Sequence, residues 1–297
     1  MLKHLRPFSI LLAAVLVFAL IPGCAAKQVI ILGAADTSSA ETIAEIYAIN
    51  LEKAGYRVER RYDMAAQGGD EHTLHHALKD GHIDIYVDYT GSVLTMLEKD
   101  IVTDPYSIYD ALEAAFQPEG IALLEPIPAN NTLTLAALQE TADTKGLKTF
   151  SDVCLKAGEL RIAVTEEFQQ DEEGFKLLSE RYGDFAFKEI IAADESQLYD
   201  LLKDKKADLA AVHANDGQLS GTAYKALRDD FHAFVPQILV PITKKEYIEQ
   251  NPEIREIFNK ISVSLNDKAV IGLNKRIQLN KTEYQVVAKE FLKDNKL

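Results

Sequence analysis

Basic residues are in short supply: 32 lysines and arginines stand against 46 aspartates and glutamates, a net charge of −14. That balance repels nucleic acid and anionic membrane surfaces, and its long-range field favours cationic solutes. The spacings of covalent and redox chemistry are missing as well. No nucleophile elbow, Walker loop, paired metal motif or thiol–histidine set occurs, so an enzyme has no support, and acid pairs such as Asp84/Asp88 are explained as turn and surface acids. The first strand-to-helix turn lacks Gly-x-Gly-x-x-Gly, which removes a dinucleotide, and no cofactor is expected. His72 and His76 stand four apart on one helix face, a spacing that lets two imidazoles share a metal. Lys79 extends that face and no third ligand follows, while His75 lies on the other side, so no metal site is expected. Neither an internal repeat nor a low-complexity segment is present.

Cysteine is scarce, with Cys24 and Cys154 the only two. Lys3 and Arg6 precede an apolar run at residues 8–21, too short for the ~20 residues of a spanning helix. The run ends at small residues and reads as an export signal over residues 1–23. Leu20-Ile21-Pro22-Gly23-Cys24 resembles a bacterial lipoprotein cleavage box, which makes Cys24 the lipidated N-terminus of a membrane-tethered, extracytoplasmic protein. The signal holds two bases and no acid, so its removal takes the net charge from −14 to −16. Cys154 is then the lone thiol, no intramolecular disulfide is possible, and a packed, inert side chain is expected.

Residues 81–97 carry the sharpest local signal. Ile83, Ile85 and Val87 alternate with Asp84, Tyr86 and Asp88, the two-residue period of a strand. Tyr89-Thr90-Gly91-Ser92 then gives way to Val93, Leu94, Met96 and Leu97 at helical spacing. A strand ends and a helix begins there, with hydroxyls available as caps and Gly91 permitting a tight bend. Ligands of open α/β sheets bind beyond the carboxyl ends of strands, so Tyr89 marks a binding corner. The turn at Thr37, with its hydroxyl donors, forms a second wall of the same crevice.

Strands at 29–32, 56–62 and 83–88 alternate with helices at 40–54, 70–79 and 106–115, predicting a parallel, doubly wound sheet. Glu125-Pro126-Ile127-Pro128 is a stiff crossing. After it the pattern restarts: strands at 132–138, 160–164, 185–191 and 208–212, and helices at 149–157, 174–182 and 196–204. A second Pro-marked crossing lies within 231–243, carrying the strand residues Ile238-Leu239-Val240, and residues 247–297 are mainly helical. The expected fold is α/β and two-lobed, of the type II periplasmic binding protein kind, each lobe a doubly wound sheet flanked by helices. Lobe one takes residues 24–128 and 236–297, and lobe two takes 129–235.

Ile83-Asp84-x-Tyr86-x-x-Tyr89-Thr90-Gly91-Ser92 resembles the signature of substrate-binding proteins that serve ABC importers for glycine betaine, choline and related quaternary amines. His75-His76-Ala77-Leu78, Asn130-Asn131-Thr132, Glu167-Phe168, Leu198-Tyr199-Asp200 and Asn215-Asp216-Gly217 are similar to further blocks of that family. The resemblance implies an aromatic cage from both lobes, because a quaternary ammonium cannot donate a hydrogen bond and is held by ring faces. Tyr89 and Tyr199 match cage positions, Leu133 and His213 stand where the family has aromatics, and Thr37 occupies a position aromatic in some members. Ser92 keeps a donor of the Tyr-Thr-Gly turn, and Asn131 belongs to the block opening lobe two. Where the family often places a basic residue for a carboxylate, this chain has Asp171 among Glu166, Glu167, Glu172 and Glu173. The implied partners are a small cationic or zwitterionic amine and the transmembrane subunit of an ABC permease, bound by a monomer. A sensory receptor using the same lobes is the alternative.

Overall fold

A computed structural model describes residues 28–62, 73–170 and 172–297, with the side chains of 172 and 173 excepted. The signal segment, Cys24, His72 and Asp171 lie outside the described residues.

Strand β1 (Val29–Ala34) leads through Thr37 into α1 (Ser38–Lys53). Thr37 is extended (φ −138°) and its Oγ1 accepts the Ala40 amide at 3.1 Å, capping the helix. Next come β2 (Arg57–Arg61), α2 (Thr73–Asp80), β3 (Ile85–Tyr89), α3 (Thr90–Met96), α4 (Ser107–Phe116) and β4 (Ile121–Leu123). The chain then enters the second sheet with β5 (Leu133–Leu138), α5 (Gln139–Lys145), α6 (Phe150–Lys156), β6 (Arg161–Val164), α7 (Glu166–Gln170), α8 (Leu177–Tyr182), β7 (Glu189–Ala192), α9 (Glu195–Lys203), β8 (Leu209–His213) and β9 (Tyr224–Ala226). It returns through β10 (Leu239–Lys244) to α10 (Lys245–Gln250), α11 (Pro252–Ser262), α12 (Asp267–Asn274) and α13 (Tyr284–Asp294).

The first sheet runs β2-β1-β3-β10-β4 and the second β7-β6-β8-β5-β9, so two α/β lobes result. The alternation of β3 divides its side chains between two cores. Ile85, Val87 and Tyr89 join the cluster under α1, α11 and α13, where Tyr47 stacks on Phe258 at 4.2 Å. Tyr86 faces the opposite cluster with Leu112 and Phe116. Fully buried side chains of this size contribute about 1.5–3 kcal/mol each, which fixes the register of β3 and hence the position of its carboxyl end.

Neither sheet is wholly parallel. β10 runs antiparallel to β3 and β4, and β5 antiparallel to β8 and β9. These are the strands by which the chain arrives from the other lobe. No crossover helix precedes them in their own sheet, so nothing forces them parallel. The two crossings pair with each other: Asn130 bridges Ile238, the Asn131 amide donates to the Gln237 carbonyl at 2.8 Å, and the Gln237 amide reaches Asn130 Oδ1 and Thr132 Oγ1.

Three sequence expectations shift. The strand over 185–191 is confined to Glu189–Ala192, because Phe185 and Phe187 stack on each other at 5.4 Å and against Tyr182 and Phe175 instead of entering the sheet. The helix over 174–182 starts regular winding at Leu177, since Gly174 departs from helical geometry (φ −98°, ψ −116°). The hydroxyl of Thr90 caps nothing: it donates to the Pro236 carbonyl at 2.8 Å and accepts the Ile238 amide at 3.1 Å, tying the start of α3 to the crossing. The short elements β4, α5, α7 and β9 were not legible in the periodicity.

A candidate solute-binding crevice on the second lobe

A crevice of about 730 Å³ opens on the second lobe at the carboxyl ends of β6, β7 and β8 and the amino end of the antiparallel β5. Leu133 and His213, register partners across β5 and β8, form part of its floor. Phe168 and Leu198 supply apolar walls. At Gly174 a Cβ would stand 1.8 Å from the Phe168 carbonyl oxygen, so that wall closes on itself only with glycine.

Two helices start on the crevice rim. Thr165 Oγ1 accepts the Phe168 amide at 3.2 Å and caps α7, whose first turn carries Glu166 and Glu167. Asp194 precedes α9 without bonding its free amides, and Glu195 follows in the first turn. All four acids line the crevice, and among the described residues no lysine or arginine does. They complement the partial positive charge of the helix starts, which leaves those ends neutralised by the chain's own carboxylates.

His213 is held in one tautomer. Its Nδ1 lies 2.9 Å from the backbone carbonyl of Asn131, and a carbonyl only accepts, so Nδ1 carries the proton. Asn131 thus acts through its main chain. Tyr199 is half-buried beside the crevice, edge-on to Tyr224 at 5.0 Å, and donates its hydroxyl to Asp216 Oδ2 at 2.9 Å. Burial, with Asp216 alongside, pushes the Tyr199 hydroxyl up, so it stays protonated as donor. Burial likewise raises the Asp216 carboxyl, against the lowering bond from Tyr199.

On the first lobe Tyr89 ends β3, pairs with Leu239 and is buried. Its hydroxyl lies 3.3 Å from Thr37 Oγ1, and burial raises it. Asp88 lies on the other face of the strand, where burial drives its carboxyl up to about 7. Ser92 is exposed in the first turn of α3. Of the six residues singled out from sequence, His213 alone lines the crevice in this arrangement, and Tyr89 and Thr37 are brought together.

A polar route joins the lobes. Ser39 donates to Asn274 Oδ1 at 2.7 Å, and Asn274 Nδ2 donates to the Asn215 carbonyl at 2.8 Å. The Gly217 amide reaches Gln278 Oε1 at 2.7 Å. On another side of the lobe boundary Arg181 donates to Thr103 Oγ1 at 2.9 Å. Ser39 on the first lobe and Asn215 on the second are therefore linked through Asn274, with Tyr89 bonded to Thr37 near the one and Tyr199 bonded to Asp216 beside the other. Sequence reasoning passed over Asn274 and Gln278, because nothing in a helical repeat says which polar residue will meet a different lobe.

Of the His72/His76 pair only His76 is among the described residues, and among these no group of three or more His, Cys, Asp or Glu could hold an ion. His75 is buried, stacked on Phe116 with Nε2 3.3 Å from Glu119, and burial lowers its pKa. The Cys154 thiol donates to the Tyr182 carbonyl.

Residues 28–294 match the family model for the substrate binding domain of ABC-type glycine betaine transport systems. The chain belongs to this family. It is 28% identical over 256 residues to the glycine-betaine-binding protein of Pseudomonas aeruginosa, covering 82% of each chain. It is also 28% identical to the ergothioneine transport permease/ergothioneine binding protein of Helicobacter pylori, over 92% of this chain but 49% of that one. Among solved structures, that of a glycine betaine/carnitine/choline ABC transporter shares the fold, with TM-score 0.80, 24% identity, and 90% of this chain and 98% of the other covered. The family is one of transporter substrate-binding domains. No helix of the described residues is long and apolar enough to cross a membrane.

Proposed function

We propose that this chain is a lipid-anchored receptor that captures a small cationic or zwitterionic amine between its lobes and delivers it to an ABC permease. The family match across both sheets carries the reading, and the crevice beside the lobe junction supplies a place for the solute. Lobe one comprises residues 24–128 and 236–297, lobe two residues 129–235, and the paired crossings act as the hinge. The solute bridges the lobes and supplies the differential affinity that shifts the balance toward the closed form, which the permease recognises. The protein works as a monomer and needs no cofactor.

Tethering rests on the box before Cys24. A Cys24→Ser variant is expected to leave the membrane fraction; retention of lipid label on that variant would end this part of the account.

Tyr89 and Tyr199 are assigned to the cage, with Thr37, Ser92 and Asn131 around them. One ring comes from each lobe, Tyr89 bonded to Thr37 and Tyr199 to Asp216. Each cation–π contact contributes about 0.5–2 kcal/mol, so Tyr89→Leu and Tyr199→Leu should each weaken amine binding roughly twofold to thirtyfold in calorimetric titration. The Phe variants, which keep the ring, should lose less. Wild-type affinity in both Leu variants would remove the cage.

A second reading, a bulkier amine or amino-acid derivative, is favoured by the relative named for ergothioneine. Solute sensing in place of transport uses the same geometry and differs only in the partner.

A further inference from the structure

The chemistry of the crevice distinguishes among amines. His213 has one nitrogen committed: Nδ1–H is spent on the Asn131 carbonyl. The two nitrogens lie on different edges of the ring, so the edge away from Asn131 presents Nε2, an acceptor in the neutral imidazole. No protein donor meets that Nε2 among the described residues, and His213 lines the crevice. Around it stand Glu166, Glu167, Asp194 and Glu195 at the starts of two helices. Those four carboxylates give the rim its negative charge, and among the described residues no lysine or arginine lines the site. An anionic group entering here meets like charge and an acceptor, both repulsive.

Resting on the quaternary-amine reading above, we infer that His213 is the specificity-determining residue, and that it selects a cation whose short tail ends in a hydrogen-bond donor and bears no carboxylate. The apolar surfaces of Leu133, Phe168 and Leu198 take the alkyl part, and the acidic rim favours net positive charge over a zwitterion. Nε2 reads the tail. A donor such as a hydroxyl satisfies it, a methyl leaves it desolvated without a partner, and a carboxylate opposes it.

Three probes with the same trimethylammonium head separate these terms: choline, n-propyltrimethylammonium, which replaces the hydroxyl by a methyl of similar size, and glycine betaine, which ends in a carboxylate. The measurement is calorimetric titration of the mature protein with each probe. Wild type should bind choline about tenfold tighter than n-propyltrimethylammonium, the scale of one hydrogen bond to an acceptor that the bound solute covers, and tighter still than glycine betaine. In His213→Phe the ratio between the first two should fall to about one, whatever happens to absolute affinity, because the ring face remains while the acceptor is gone. An unchanged ratio in His213→Phe overturns the role of Nε2. Glycine betaine binding to wild type as tightly as choline overturns the exclusion of carboxylates while leaving the quaternary-amine reading intact. Failure of all three to bind the wild type removes that reading and this inference together.

Discussion

Gly217→Ala should weaken amine binding roughly thirtyfold or more. Gly217 follows β8 and touches the other lobe at the segment after α12. A Cβ built on it would stand 2.6 Å from both the Cα and the backbone nitrogen of Lys275. Real Cβ atoms do not approach backbone so closely, and backbone cannot rotate away as a side-chain tip can. The Gly217 amide is meanwhile held by Gln278 Oε1 at 2.7 Å, and the neighbouring Asn215 carbonyl by Asn274 at 2.8 Å. The methyl group must therefore push the lobes apart at the junction and stretch both bonds. Overpacking of this kind costs about 1–3 kcal/mol, and contact with backbone places it at about 2–3. The full cost falls on the arrangement in which the lobes meet, so it is read as lost affinity at ~1.4 kcal/mol per tenfold. Gly221→Ala is the control, since a Cβ there meets nothing within 4 Å. Its affinity should be that of the wild type. Equal affinities in Gly217→Ala and Gly221→Ala would show that the junction takes no part in binding.

The two-lobed α/β fold was legible because β-strand periodicity and helical periodicity alternate cleanly, as at β3 and α3, and because prolines mark the crossings. The antiparallel course of β5 and β10 was not. Strand direction depends on which lobe the chain comes from, and no side-chain pattern within a strand records that. Thr90 shows the same limit on a smaller scale. A hydroxyl at a helix start reads as a cap, yet the crossing segment 146 residues away in sequence claims it. Phe185 and Phe187 alternate like strand residues, but packing of ring on ring, with Tyr182 and Phe175, outweighed extension of the edge strand β7.

The site divides in the same way. Tyr89 stood out because the break from one period to the other falls on it, and His213 because it ends β8 and precedes a turn. The acidic rim was visible as composition at Glu166 and Glu167. That a second pair, Asp194 and Glu195, joins them around one crevice follows only once β6 and β7 lie side by side. Asn274 and Gln278 carried no signal: each is one polar residue on a helical surface, and its role comes from the lobe it happens to meet.

That a quaternary amine is the solute is tested most directly by thermal melting of the wild-type protein against a panel of small solutes. Choline, glycine betaine and ergothioneine would be set beside simple amino acids, sugars and zinc. A solute that binds the folded protein alone stabilises it by mass action, by ~2.7 kcal/mol when present at about 100 times its dissociation constant. For a chain of this size that is a rise of roughly 5–10 °C in the melting temperature. Zinc should leave the transition unmoved, since no described cluster can hold it. The account predicts such a rise with at least one trimethylammonium solute, and none with the uncharged or acidic members of the panel. A flat response to every quaternary amine, with a clear rise from an acid, a sugar or a metal, would contradict it.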